Sequence, residues 1–231
     1  MRILLVNKFH WHKGGSETYY FSLAKALEDA GHDVFFFSME DERNETCKQS
    51  KYFVSNREYN EKTSLTDKFK AFKSLVYSKE AKEKFEELLQ DVRPDIIHLN
   101  IIHRQITFSI LDAPSAKGIP VVYTAHDYIS ICPAYLMLDS CDFLCELCIK
   151  GKYKNCVRKK CIKGSLLKSA LAAYEAWYLR KKNMYSKIDT IIAPSEFMRQ
   201  KLIQGGFDSK KITTIPNCIS VTEADIVASY G

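Results

Sequence analysis

Residues able to do chemistry concentrate in a few short stretches. Lys13-Gly14-Gly15-Ser16-Glu17 sets two adjacent glycines just ahead of a helical pattern. Such a pair lets backbone approach a ligand closely, and the free amides of the first helical turn favour an anion; a plain tight turn is the competing reading. The stretch is neither GxGxxG nor a Walker loop, which removes support for nicotinamide cofactors and for ATP hydrolysis. Asn100 and His103, in the run His98-Leu99-Asn100-Ile101-Ile102-His103-Arg104, have the hydrogen-bonding groups to hold a polyhydroxylated ligand. His126 and Asp127 directly follow an apolar run, where an imidazole beside a carboxylate suits binding of sugar hydroxyls or of a developing charge. Ser195 follows another apolar run and reads either as a ligand contact or as a helix cap.

Cysteine is the second signal. Six of the eight cysteines fall between 132 and 161, with the core spacing Cys145-x2-Cys148-x7-Cys156-x4-Cys161. Four thiolates so spaced can hold a tetrahedral zinc or an iron–sulfur cluster. Cys132 is the next contributor in line. Lys150, Lys152, Lys154, Arg158, Lys159 and Lys160 would offset thiolate charge. The insert has too few aliphatic residues for a core of its own, so a metal staple would serve it; free thiols in a loop are the alternative.

These residues need a scaffold, and the apolar runs predict one. Strands are expected at 2–7, 33–38, 95–99, 119–124, 189–193 and 211–215. Helices are expected after 15, at 65–77, 80–92, 105–117, 165–185 and 195–204, with a charged excursion over 40–63. Alternation of this kind gives a Rossmann-like, doubly wound α/β fold with a mainly parallel sheet, interrupted by the cysteine-rich insert at 132–161. In such sheets ligands bind beyond the carboxyl ends of the strands, where the glycine pair, Asn100 and His126 fall.

Charge and composition narrow the partners. The 231 residues carry 46% hydrophobic and 27% charged side chains and a net charge of +6, an ordinary globular balance with a mild basic surplus. No run approaches the roughly 20 apolar residues that span a bilayer, and the first apolar run is short for a signal peptide. The chain is therefore expected in the cytoplasm, at most peripheral to the inner face of a membrane. The helix at 165–185 has an aromatic face and a basic end at Arg180-Lys181-Lys182, suited to a membrane surface or to packing on the sheet. No nucleic-acid partner is expected, because no recognition helix follows the cysteine knuckle.

In order along the chain, Arg2-Ile-Leu-Leu-Val-Asn, Gly14-Gly15-Ser16-Glu17, Pro94-Asp95-Ile96-Ile97-His98-Leu99, Thr124-Ala125-His126-Asp127, Ala193-Pro194-Ser195-Glu196-Phe197 and Ile215-Pro216-Asn217-Cys218-Ile219 resemble the N-terminal domain of glycosyltransferase family 4. The resemblance implies one half of a GT-B fold, with residues 1–219 as the acceptor-side domain and 220–231 as the start of a hinge into a second domain. That missing C-terminal domain would hold most of a nucleotide-sugar donor and its Glu-x7-Glu element, so the chain alone is expected to be inactive. By the same resemblance the reaction retains anomeric configuration and needs no metal or cofactor for its chemistry. Its acceptor is a glycan or a lipid-linked saccharide, as in cell-surface polysaccharide biosynthesis. Gly14 and Gly15, with Glu17, would reach toward the donor diphosphate, while His126 would hold the transferred sugar with Asp127 beside it. A non-catalytic carbohydrate- or partner-binding module is the alternative.

Overall fold

The computed structural model describes residues 1–56, 76–139 and 143–217. Six strands form one sheet: β1 (Arg2–Val6), β2 (Asp33–Phe37), β3 (Ile96–Leu99), β4 (Val121–Thr124), β5 (Thr190–Ala193) and β6 (Ile212–Thr214). Their order is β2-β1-β3-β4-β5-β6 and every pairing is parallel. The chain first builds outward from β1 to β2, then returns to lay β3 on the other side of β1. The topological switch point thus lies between β1 and β3, where a crevice opens at the carboxyl ends.

Alternate residues of β1 explain why its sequence is apolar throughout. Ile3 and Leu5 face α1 (Gly15–Asp29) and pack with Tyr20 and Ala24. Leu4 and Val6 face the opposite layer, where α2 (Lys79–Val92) contributes Phe85, Leu88 and Leu89. Both faces are covered, as a parallel sheet requires. Ser78 caps α2 by accepting the Ala81 N–H, and Arg93 ends it in the left-handed conformation just before Pro94.

The predicted helix at 105–117 is shorter in the structure. Thr107 stands at φ +67°, ψ 165°, and its hydroxyl accepts the Ser109 N–H. Backbone in that conformation cannot propagate a helix, so a 3₁₀ turn at Phe108–Leu111 leads into α3 (Asp112–Lys117), which Gly118 closes at φ +67°. The expected helix at 65–77 lies almost wholly outside the described residues, as do the boundary at 219–220 and Cys141.

The described part of the insert forms a short helix, α4 (Lys154–Arg158), on the long helix α5 (Leu166–Lys181). Cys148, Tyr153 and Cys156 pack against Ala173 and Ala176 of α5, so the insert borrows a face instead of building a core. The aromatic stripe of α5 points outward: Leu167 is 69% exposed and Trp177 45%, while Ala172, Ala173, Ala176 and Leu179 are buried. No described helix is long and apolar enough to cross a membrane.

The last helix, α6 (Glu196–Gln204), is keyed to the loop after β4 through Gly205. A Cβ at Gly205 would lie 2.3 Å from Ile131 Cγ2 and 3.1 Å from the Leu202 carbonyl oxygen. Gly205→Ala is therefore expected to destabilise the domain by about 1–3 kcal/mol through overpacking, measured as a lower denaturant midpoint at unchanged slope. An unchanged midpoint would show that this contact yields freely.

Candidate functional site

At the end of β1, Asn7 is fully buried and organises the crevice floor. Its amide donates to the Phe9 carbonyl at 2.8 Å and to Glu17 Oε1 at 3.2 Å, while its Oδ1 accepts the Ile101 N–H at 3.1 Å. Glu17, 3% exposed, also accepts from Ser16 Oγ at 3.1 Å. Both carboxylate oxygens are thereby used within the protein. Glu17, expected to contact a ligand, ties the glycine turn to β1.

Gly14 is the N-cap of α1 and supplies no side-chain cap. Its φ of −169° is extended backbone that any residue adopts, and both glycines are exposed. A Cβ on Gly15 would meet nothing within 4 Å, and one on Gly14 only Glu17 Oε2 at 3.7 Å. Nothing in the domain's own packing demands glycine here; what these positions keep clear is the space outside. Gly15→Ala is accordingly expected to leave thermal stability unchanged or slightly raised, and to weaken use of any ligand seated on the turn. A simultaneous loss of stability in the melting curve would show that the turn has a structural need for glycine.

His126 follows β4, and its Nε2 lies 2.9 Å from Asn100 Oδ1. Asn100 follows β3, is fully buried, and donates its Nδ2 to the Val6 carbonyl at 3.4 Å, which fixes which end of its amide faces the imidazole. Tyr19 of α1 meets the ring edge-on at 5.1 Å between centroids. Burial pushes the His126 pKa down to about 4, so at neutral pH the ring is uncharged. Its Nε2–H donates to Asn100, and its Nδ1 is left as an acceptor with no described partner. The expected pairing with Asp127 is not what orients the ring. Asp127 Oδ1 instead accepts the Ile129 N–H at 2.9 Å, closing a local turn, and burial raises its pKa. Asn100 thus positions His126 and has no free oxygen of its own for a ligand.

Two further expected contacts turn inward. His103 is 5% exposed, 3.4 Å from the Tyr185 hydroxyl and edge-on to Phe108 at 5.0 Å. Burial lowers its pKa to about 3, making it a neutral packing residue in place of a ligand contact. Ser195 accepts the Met198 N–H at 3.2 Å and caps α6.

Sequence reasoning missed three charged residues at the crevice. Lys8, next after Asn7, has its pKa lowered to about 8 by burial and by Lys13 and Arg104. Arg104, at φ +72°, donates Nε to Glu175 Oε2 at 3.3 Å and Nη2 to the Pro133 carbonyl at 3.4 Å. Glu175 is the one carboxylate on the inward face of α5; burial raises its pKa to about 7 against the pull of Arg104. The signals were there: a lysine abutting an apolar strand, and a glutamate set among Ala172, Ala173 and Ala176.

The sulfurs form a packed cluster. Cys156 and Cys161 hydrogen-bond through their side chains, the Cys156 N–H donates to Cys148 sulfur, and Cys132 sulfur accepts from the Ala134 and Met137 backbone. Burial pushes the Cys148 and Cys156 thiols up to about 12. Among the described residues no group of three or more His, Cys, Asp or Glu side chains is arranged to hold a metal ion. Thiol chemistry suits zinc or an iron–sulfur cluster, and the expected set of Cys145, Cys148, Cys156 and Cys161 enters no step below.

Comparison with known proteins gives a family. A model described as Glycosyltransferase Family 4 matches residues 13–223. An uncharacterized 42.6 kDa protein in the cps region of Klebsiella pneumoniae is 27% identical over 244 residues, covering 99% of this chain and 58% of that protein. Among solved structures, the chain is similar to the UDP-GlcNAc 2-epimerase of Methanocaldococcus jannaschii, with a TM-score of 0.49 and 12% identity over 94% of this chain and 46% of that one. It is also similar to the lipopolysaccharide outer core galactosyltransferase WaaB, with a TM-score of 0.45 and 13% identity over 96% and 47%. The chain thus spans about half the length of the proteins it matches.

Proposed function

The chain belongs to glycosyltransferase family 4, and from that premise we propose that its strand ends form the acceptor-side wall of a sugar-transfer cleft. The transferase would move a sugar from a nucleotide-sugar donor to a glycan or lipid-linked acceptor, and a second, donor-binding domain would complete it. The observation that carries this reading is the neutral His126, held through Nε2 by Asn100, on the sheet end shared with the open Gly14–Gly15 turn. An acceptor nitrogen at Nδ1 takes a hydrogen bond from a sugar hydroxyl without placing positive charge beside a cationic reacting centre. The uncapped first turn of α1 faces its amide dipoles toward the departing diphosphate.

In the reaction we infer, the acceptor hydroxyl oxygen bonds to the anomeric carbon as the bond from that carbon to the diphosphate oxygen breaks. The hydroxyl proton passes to the departing phosphate oxygen on the same face, so configuration is retained. The protein's share is placement and charge stabilisation. Asp127, held in its own turn, supports the backbone that presents His126. Neither metal nor cofactor enters the step.

The outward stripe of Leu166, Leu167, Tyr174 and Trp177, with Lys181 4.7 Å from the Trp177 ring, supports a peripheral contact with an anionic membrane surface and with it a lipid-linked acceptor. The cytoplasmic side of the membrane is the location this implies.

The test is transfer itself. The protein as it occurs in the cell is incubated with a panel of labelled nucleotide-sugars and a membrane-lipid extract. Label appearing in a glycan or lipid-linked product supports the proposal; release of free sugar or nucleotide alone, across the whole panel, contradicts it.

A further inference from the structure

The crevice between β1 and β3 gathers three cations, Lys8, Lys13 and Arg104. Lys8 is fixed on three sides through its backbone: its N–H donates to the Ile101 carbonyl at 2.7 Å, and its carbonyl accepts the Met39 N–H at 3.3 Å and Ser38 Oγ at 3.0 Å. Its ammonium stands 4.9 Å from the centre of the Phe9 ring, and Lys13 stands 3.6 Å from the same ring. Among the described residues neither ammonium has a hydrogen bond or ion pair to an oxygen. Arg104 completes the group, and its contacts to Glu175 and Pro133 leave guanidinium N–H groups over. A desolvated lysine with no acceptor is costly, and so is a left-handed arginine. Both persist at the point where a doubly wound sheet binds its ligands.

We propose that Lys8, Lys13 and Arg104 form a subsite for a phosphate or diphosphate ester at the β1–β3 crevice. It deepens the sugar-transfer reading and rests on it for the identity of the ligand, though not for the binding of an anion. Two substrates would carry such a group: the donor, as its nucleoside diphosphate, or a lipid-linked acceptor, as its prenyl diphosphate. The carboxylates in range of Lys8 are Glu17, committed to Asn7 and Ser16, and Glu175, committed to Arg104; Asp41, in range of Lys13, is paired with Arg43, and Asp127, in range of Arg104, accepts the Ile129 N–H. Neighbouring His103 is neutral. The Lys8 and Lys13 ammoniums are therefore left without an oxygen partner among the described residues, and a bound dianion would bring Lys8 back to full protonation. Affinity should then fall as pH rises through about 8, where free Lys8 loses its proton.

Titration calorimetry on the full chain tests this with inorganic pyrophosphate, uridine diphosphate and farnesyl diphosphate as probes. Pyrophosphate is expected to bind, at least tenfold more weakly to Lys8→Met, with Lys8→Arg restoring affinity and removing the fall above pH 8. Lys13→Met, an exposed change, gives the same direction should Lys8→Met fail to fold. Selective loss of farnesyl diphosphate binding assigns the subsite to the acceptor, and selective loss of uridine diphosphate binding assigns it to the donor; both uphold the site. Equal pyrophosphate affinity in wild type, Lys8→Met and Lys13→Met overturns it. Lys8-dependent binding in a protein that transfers no sugar would leave the subsite standing while the transferase reading falls. Transfer without Lys8-dependent binding would do the reverse.

Discussion

Replacing His126 with alanine should lower sugar transfer by about a hundredfold or more, the usual scale for losing one placed polar group at a reacting centre. The loss should appear mainly in kcat, because the proposed Nδ1 contact would serve the reacting sugar and the nucleotide would be held elsewhere. Stability should also fall, by about 1–3 kcal/mol, since Asn100 Oδ1 is fully buried and would lose its hydrogen-bond partner. Asn100→Asp separates the two effects. A carboxylate still accepts from Nε2 but draws the imidazole toward its charged form, so the pH profile of transfer should gain an acid limb at higher pH than wild type. Steady-state kinetics with a matched melting curve checks both variants. Full activity in His126→Ala would remove the imidazole from the chemistry.

Acidification should unfold the domain, and the second large effect lies there. Burial holds His10, His98 and His126 near pKa 4 and His103 near 3, all below the ordinary histidine value of 6.5. In the window from about 6.5 down to 4 the unfolded chain binds more protons than the folded one, so stability is present above that window and is lost as pH falls through it. Glu175 runs the other way. With its pKa raised to about 7 from 4.5, the folded state binds the extra proton between those values, and its contribution falls as pH rises. Four histidines outweigh one glutamate, and the net loss between pH 7 and pH 5 should reach several kcal/mol. Glu175→Gln should steepen the loss on acidification, by on the order of 2–3 kcal/mol over the same interval. Urea unfolding at a series of pH values checks the sign for both proteins. A flat profile from pH 7 to 5 in wild type would mean that the histidines are wet.

How far the sequence carries depends on which physical signal is read. Strands buried on both faces write themselves as apolar runs, and all six were legible to within one or two residues. That the glycine pair and His126 follow strands β1 and β4 was legible from the apolar runs that precede them. What sequence could not show was the direction of side chains within a loop. His103 and Asn100 sit three residues apart, yet one packs on Tyr185 and the other holds His126. Thr107 at positive φ, which shortens the helix before Gly118, has no sequence mark at all. The charged cluster was missed for a different reason. Lys8, Arg104 and Glu175 come from three distant segments, and only the crossing of β1, β3 and α5 brings them together. Of the cysteines whose spacing reads as a ligand set, Cys148 and Cys156 pack against the alanine face of α5, a placement the spacing does not show.

The most direct measurement is a structure of the protein with an intact nucleotide-sugar bound. The account predicts a hydroxyl of the transferred sugar within hydrogen-bond distance of His126 Nδ1, and the diphosphate lying over Gly14 and Gly15 at the start of α1. A nucleotide-sugar seated away from the carboxyl ends of β1, β3 and β4 would contradict it.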